Sequence, residues 1–120
     1  MSTDSNLGRA RLQPEIYFVT SSTAERKPYF RYPRWSELFI ENLYAHQERF
    51  DLYEFVLMPD HFHLLIAARE SLERAVQFIK GGFSRRASLK FESKQTIWQP
   101  GFTDHRIRDE ADYLRHKQYL

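Results

Sequence analysis

Two strand-like runs separated only by a proline and an aspartate constrain this chain more than any other part of its sequence. Residues 50–58 and 61–67 are both rich in aromatic and branched apolar residues, which favour extended backbone. Pro59 fixes its own φ angle, and Asp60 can bond to the backbone of a turn. The pair therefore predicts a tight antiparallel hairpin whose two strands lie centrally in a sheet.

Further elements can be placed on both sides of this hairpin. Residues 15–22 contain a β-branched and aromatic run that predicts a first strand. Leu38, Phe39 and Leu43 recur at the helical period and predict a first helix. Ser71 is expected to cap a second helix, and the glycines at 81–82 predict either a bend in it or a close backbone approach.

Towards the C-terminus the sequence predicts one more strand and one more helix. Residues 96–102 are interpreted as a short strand and turn, which residues 105–108 extend, and Asp109 is expected to cap a last helix, with Asp112 three residues further on. The resulting order, strand-helix-strand-strand-helix-strand-helix, predicts an α+β fold. Its core is a ferredoxin-like βαββαβ antiparallel sheet with helices on one face, and the C-terminal helix is an addition. We expect residues 13–120 to form a single domain after a flexible tail, residues 1–12.

Composition excludes several classes of protein. The 120 residues include no cysteine, which rules out disulfides and thiolate metal sites. A mean hydropathy of −0.65 and the lack of a long apolar run argue against a membrane span, so we expect a soluble, cytoplasmic protein. The net charge of +2 is compatible with a polyanionic partner but does not require one.

His61 and His63 are the candidate metal ligands. Alternate residues of a strand share one face, so the two imidazoles should lie about 6 to 7 Å apart with Phe62 pointing the other way. Ordinary surface histidines are the alternative for a bare His-x-His triplet. A complete site needs a third protein ligand, a water or a phosphate oxygen, and the protein candidates by type are His105, His116, Gln118 and Asp104. Oxygen donors would favour Mg²⁺ or Mn²⁺, and a third imidazole would favour Zn²⁺.

Two tyrosines of the last helix are candidate nucleophiles. Tyr113 and Tyr119 are six residues apart, so only one can readily face a given point. A phenol can attack a phosphodiester when a metal polarises the phosphate. The alternative is that both tyrosines serve in packing.

Basic and aromatic residues are candidates for contacts with nucleic acid. Trp98 and Phe102 are suited either to stacking on bases or to packing in the core. The basic side chains fall in two clusters that could track a phosphate backbone or form solvated faces, and the DNA-binding candidates are Lys80, Arg85, Arg86, Lys90, Arg106 and Arg108.

Three blocks of sequence together resemble a known family. These are residues 55–66, which include Met-Pro-Asp-His-Phe-His, then Trp-Gln-Pro-Gly-Phe at 98–102, then residues 104–110 with His-Arg-Ile-Arg. In order and spacing they resemble the single-tyrosine transposases of the HUH endonuclease superfamily, and most closely the REP-associated tyrosine transposases. The resemblance extends from about residue 16 to the end of the chain.

The resemblance implies a function and a set of site residues. It implies a divalent metal, Mg²⁺ or Mn²⁺, held by His61 and His63, and a nucleophile at Tyr119 rather than Tyr113. The reaction would be cleavage of single-stranded DNA near hairpins, leaving a 5′ phosphotyrosine and a free 3′ hydroxyl. A bacterial, nucleoid-associated protein that is a monomer or homodimer is expected.

Two alternatives remain open at this point. The family continues after the tyrosine into an Asn-Pro-Val segment, whose asparagine can supply the third ligand, whereas this sequence ends at Leu120. We therefore also consider a module that binds DNA hairpins but has lost cleavage. A small metallohydrolase that uses water as the nucleophile is the other alternative.

Overall fold

The structure is a computed structural model that describes residues 15–118. Its strands are β1 (Tyr17–Ser22), β2 (Phe50–Met58), β3 (His61–Ala68) and β4 (Thr103–Arg106), and its helices are α1 (Pro33–Ala45), α2 (Leu72–Phe91) and α3 (Glu110–Gln118). Short 3₁₀ turns precede α1 and β2. The predicted tail, residues 1–12, lies outside the described residues.

The four strands form one antiparallel sheet in the order β2-β3-β1-β4. This is the predicted ferredoxin-like arrangement, and the predicted hairpin joins β2 to β3 through Pro59 and Asp60. The hairpin supplies one central strand, β3, while β2 lies at an edge, so the expectation that both strands would be central was wrong for β2.

Helices pack on both faces of the sheet, with α1 and α2 on one face and α3 on the other. Val19, Phe62 and Leu64 point to one side, where they pack in the buried core with residues of α1 and α2. Phe18 and His63 point to the other side, where the ring of Phe18 contacts His116 of α3. The two core helices therefore share one face, as predicted, and the additional C-terminal helix lies against the opposite face.

The two glycines of α2 do not bend it, because the helix is continuous from Leu72 to Phe91. A Cβ atom on Gly82 would lie 2.6 Å from Oδ1 of Asn42 and 2.8 Å from Nε2 of His46. At Gly81 a Cβ would meet nothing within 4 Å. Of the two predicted explanations, close approach is the right one, and it applies to Gly82 alone.

The predicted strand at residues 96–102 was wrong in its position. Trp98 makes only an isolated bridge with Thr23, and the fourth strand begins at Thr103. The indole ring is buried among core phenylalanines and donates a hydrogen bond from Nε1 to the Lys80 carbonyl at 2.8 Å. The backbone of the segment bonds to the backbone at the end of β1 and just beyond it, since the Gln99 N–H donates to the Ser22 carbonyl and the Ala24 N–H to the Ile97 carbonyl, and Trp98 packs in the core.

Candidate functional site

His61 and His63 lie side by side on the α3 face of the sheet. Their ring centroids are 4.9 Å apart and the rings are nearly perpendicular. Both side chains are partly exposed, while Phe62 between them is completely buried on the other face. Strand alternation thus places both rings on one face, as the sequence predicted, although they lie closer than the predicted 6 to 7 Å, and the core holds the strand from behind.

Each of these imidazoles has a partner at its Nδ1 atom. Nδ1 of His61 is 2.8 Å from Oδ1 of Asp60, and Nδ1 of His63 is 2.7 Å from the hydroxyl oxygen of Thr20. Partners of this kind fix the ring orientation and the tautomer of metal-binding histidines. Nε2 is then the nitrogen through which each ring can bind a metal.

Burial and the neighbouring ring favour neutral imidazole at His63. Burial, and next the neighbouring His61, lower the pKa of His63 below its ordinary value. A hydrogen bond from Arg26, and next one from His61, lower the pKa of Asp60 to about 2. A neutral imidazole is the form of histidine that binds a metal.

Among the described residues, the histidine and aspartate candidates for the third ligand do not join this pair. Asp104 pairs with Val19, whose side chain faces the core helices, so Asp104 lies on the opposite side of the sheet. His105 and His116 stack on each other with centroids 4.5 Å apart, and the Phe18 ring lies between His116 and His63. Gln118 is exposed at the end of α3.

A second polar cluster forms around Asp112, which is only 1% exposed. Its carboxylate lies 2.9 Å from Nε2 of His105 and 3.2 Å from Nδ1 of His116. The expected cap of α3 is also present, since the Asp112 amide donates to Oδ1 of Asp109 at 2.8 Å. Asp112 was predicted only as the third residue after that cap. The i, i+4 spacing of Asp112 and His116 is the sequence signal for this cluster.

Of the two candidate tyrosines, Tyr113 lies within the described residues and Tyr119 does not. Tyr113 is partly buried and packs edge-to-face on Tyr53 of β2, with centroids 6.4 Å apart. Tyr53 lies at the register shift between Leu52 and Glu54. Tyr119, the implied nucleophile, lies outside the described residues.

The basic candidates differ in what they contact. The Lys80 ammonium donates to the carbonyls of Gln99 and Gly101, at 2.9 and 2.6 Å, and burial lowers its pKa. Arg86 donates from Nε to the buried Asn42. Arg85 and Lys90 make no side-chain ion pair within residues 15–118.

The remaining two arginines of the predicted set contact carboxylates. Arg106 donates to Glu15 at 2.9 Å, and Nε of Arg108 lies 3.6 Å from Asp112. The predicted DNA-binding set therefore divides into side chains with partners inside the protein and a pair, Arg85 and Lys90, without them in the described part.

The chain has a ferredoxin-like sheet with two histidines on one strand, and these histidines face a C-terminal helix. This combination is the one expected of the transposase class that the sequence resembles. The chain belongs to the family described as Transposase IS200 like, which matches residues 15–120. The resemblance predicted from the three sequence blocks is thereby confirmed.

Similar proteins agree with this family. A REP-associated tyrosine transposase of Escherichia coli (strain K12) is 31% identical over 74 residues, which are 59% of this chain and 42% of that protein. The match thus spans less than half of the length of this relative.

Two solved structures share the fold. A candidate transposase from Deinococcus radiodurans R1 superposes with a TM-score of 0.71 at 19% identity, covering 99% of this chain and 94% of that one. A REP-associated tyrosine transposase bound to a REP hairpin has a TM-score of 0.67 at 23% identity, covering 100% of this chain and 70% of that one. Among residues 15–118, no helix has the length and apolar character needed to cross a membrane.

Proposed function

We propose that this protein is a metal-dependent single-stranded DNA endonuclease and strand transferase that acts beside DNA hairpins. The observation that carries the proposal is the histidine pair, with Nδ1 of His61 held by Asp60 and Nδ1 of His63 held by Thr20. Membership of a transposase family and the hairpin bound to one structural relative support the choice of substrate.

In this proposal His61 and His63 hold a Mg²⁺ or Mn²⁺ ion through their Nε2 atoms. Such an ion, when bound, polarises the scissile phosphate and stabilises the charge that develops on its oxygens. The donor set fits a hard divalent cation if oxygen atoms of the substrate or of another residue complete the coordination. The low pKa of His63 keeps this ring ready to bind at neutral pH.

Tyr119 is the proposed nucleophile. Its phenolic oxygen loses a proton and forms a bond to phosphorus, and the bond from phosphorus to the 3′ oxygen breaks. The 3′ oxygen takes up a proton and leaves as a hydroxyl, while the 5′ phosphate stays on the tyrosine. Attack by a 3′ hydroxyl on this phosphotyrosine then restores a phosphodiester and frees the tyrosine.

We also propose that Arg85 and Lys90 contact the DNA backbone. Lys80 serves instead to hold the turn at Gln99 and Gly101, because its ammonium already donates to both carbonyls. Arg86, Arg106 and Arg108 contribute positive potential from positions fixed by partners within the protein.

The nucleophile is tested with a labelled single strand that carries a hairpin, incubated with Mn²⁺ and resolved by denaturing electrophoresis. We expect a covalent protein–DNA band that Tyr119→Phe abolishes and that the matched variant Tyr113→Phe retains. Loss of the band in Tyr113→Phe alone would reverse the assignment. Cleavage to a free 5′ phosphate that persists in Tyr119→Phe would show water to be the nucleophile, and binding without cleavage would leave only a hairpin-binding module.

The metal is tested separately by titrating Mn²⁺ into the wild type and into a His61→Ala/His63→Ala double variant. We expect binding in the wild type and its loss in the double variant, with circular dichroism spectra that coincide. Equal Mn²⁺ affinity in the two proteins would refute the assignment of the histidine pair.

A further inference from the structure

The carboxylate of Asp112 is surrounded by donors from three parts of the chain. Oδ2 accepts from the Arg108 backbone N–H and from Nε2 of His105, both at 2.9 Å. Oδ1 accepts from Nη2 of Arg115 at 3.1 Å and lies 3.2 Å from Nδ1 of His116. These donors belong to β4, to the segment that follows it and to the next turn of α3.

Apart from Asp112, helix α3 is attached to the sheet by partly exposed side chains: the Tyr113 ring packs on Tyr53, the His116 ring contacts Phe18, and Nζ of Lys117 lies 3.4 Å from Glu54. It is nine residues long, and its fully buried residue is the charged Asp112 rather than an apolar side chain. Leu114, the large aliphatic residue of the helix, is 51% exposed. Helices this short are marginal without tertiary support, and the contacts of Asp112 are the buried part of that support.

A chain of ring contacts connects the Asp112 cluster to His63. The His116 ring stacks on His105 at 4.5 Å and contacts the Phe18 ring at 4.8 Å. Phe18 in turn stacks on His63, with centroids 5.2 Å apart. Tyr119 follows His116 by three residues in the sequence.

The same three side chains could instead bind a metal, because ligand atoms of His105, Asp112 and His116 all lie within 4.8 Å of one another. The surroundings argue against a cation. Two guanidinium groups, those of Arg108 and Arg115, lie within 3.6 Å of the carboxylate oxygens. Protein donors already occupy both oxygens, and further positive charge would be repelled.

We propose that Asp112 is a positioning residue that clamps α3 to the sheet and thereby sets Tyr119 relative to His61 and His63. The inference rests on the proposed function. In-line attack requires that the nucleophile be close to the scissile phosphorus. A displacement of about 1 Å can slow a reaction by about 100-fold.

The test compares Asp112→Asn with Glu110→Gln, which removes the same charge from an exposed position in the first turn of α3. Asparagine keeps the size of the side chain but places an NH₂ group where one oxygen accepts two donors. In single-turnover assays with Mn²⁺ we expect Asp112→Asn to form the covalent adduct about 10- to 100-fold more slowly, and Glu110→Gln to match the wild type. Mn²⁺ affinity and the Kd for hairpin DNA should be the same in all three proteins.

Hydrogen exchange of the α3 amides tests the attachment of α3 without relying on the cleavage reaction. Asp112→Asn should speed exchange of the α3 amides while leaving β2 and β3 protected. If the wild type forms no adduct, the proposed function fails and this exchange pattern alone decides the clamp. If Asp112→Asn does not fold, Arg115→Gln takes its place, because Arg115 is an exposed donor to the same carboxylate and its loss should produce the same pattern more weakly.

Three results would overturn the clamp. The first is wild-type adduct formation by Asp112→Asn, and the second is unchanged exchange in α3. The third is stoichiometric Zn²⁺ binding by the His61→Ala/His63→Ala protein that disappears when Asp112→Asn is added, since this would make the cluster a metal site.

Discussion

Two adjacent glycines of α2 allow a sharp test of the packing, because the same substitution should have opposite effects at the two positions. In Gly82→Ala the new Cβ would lie 2.6 Å from Oδ1 of Asn42, which must move. Asn42 is completely buried, donates from Nδ2 to the Ile79 carbonyl at 2.8 Å and accepts from Nε of Arg86 at 3.0 Å. It cannot shift without weakening one of these bonds.

The expected magnitudes follow from these contacts. Alanine improves helix propensity over glycine by about 1 kcal/mol at either position. At Gly82 overpacking opposes this gain by about 1–3 kcal/mol, and a weakened buried hydrogen bond adds roughly 0.5–1.5 kcal/mol. We expect Gly82→Ala to lower the free energy of unfolding by about 1–3 kcal/mol, whereas Gly81→Ala, with open space around its Cβ, should raise it by up to about 1 kcal/mol.

Urea unfolding followed by circular dichroism measures both changes against the wild type. The midpoints should move in opposite directions, while the slope of the unfolding free energy against urea stays constant, because neither variant alters the surface exposed on unfolding. A Gly82→Ala protein as stable as the wild type, or equal shifts in the two variants, would refute the close approach of α1 and α2.

Four other outcomes follow from single contacts. Thr20→Val removes the partner of His63 and should weaken Mn²⁺ binding by about 10- to 100-fold in a calorimetric titration. Lys80→Met should lower the free energy of unfolding by roughly 1–3 kcal/mol in urea, with an unchanged salt dependence of DNA binding. Arg85→Gln should reduce the slope of log affinity against log salt by about 0.7, with unchanged stability. Burial lowers the pKa of His46, so the unfolding free energy should fall as the pH drops below about 6.5, and His46→Gln should flatten this dependence.

The sequence was sufficient for the features that depend on neighbouring residues. The hairpin follows from two apolar runs around Pro59 and Asp60, and the shared face of His61 and His63 follows from strand alternation. The cap of α3 at Asp109 is equally local. In each case the residues that determine the structure lie within a few positions of one another, so pattern and turn chemistry predict the result.

Features that depend on distant contacts were not predictable in this way. The segment around Trp98 has strand-like composition, yet the indole is drawn into a core built from α1, α2 and β3. Asp112 looked like part of a helix cap, and its burial depends on His105, which reaches it from β4. Gly82 could be recognised as unusual, but its partner, Asn42, lies forty residues earlier. Tertiary packing decided each of these.

The register of the hairpin determines whether His61 and His63 lie on the α3 face of the sheet, where the proposed metal would bind. A slip of one residue in β3 would turn Phe62 to the α3 face and bury both imidazoles in the apolar core. The register shift in β2 lies between Leu52 and Glu54, so pairing is regular from Phe55 to the turn, where Met58 opposes His61. Completely buried Phe62 and Leu64 then hold the strand from the opposite face. The rigidity that the proposed metal site needs is therefore supplied by the hydrophobic core behind it, and substitutions that loosen that core should weaken Mn²⁺ binding before they unfold the protein.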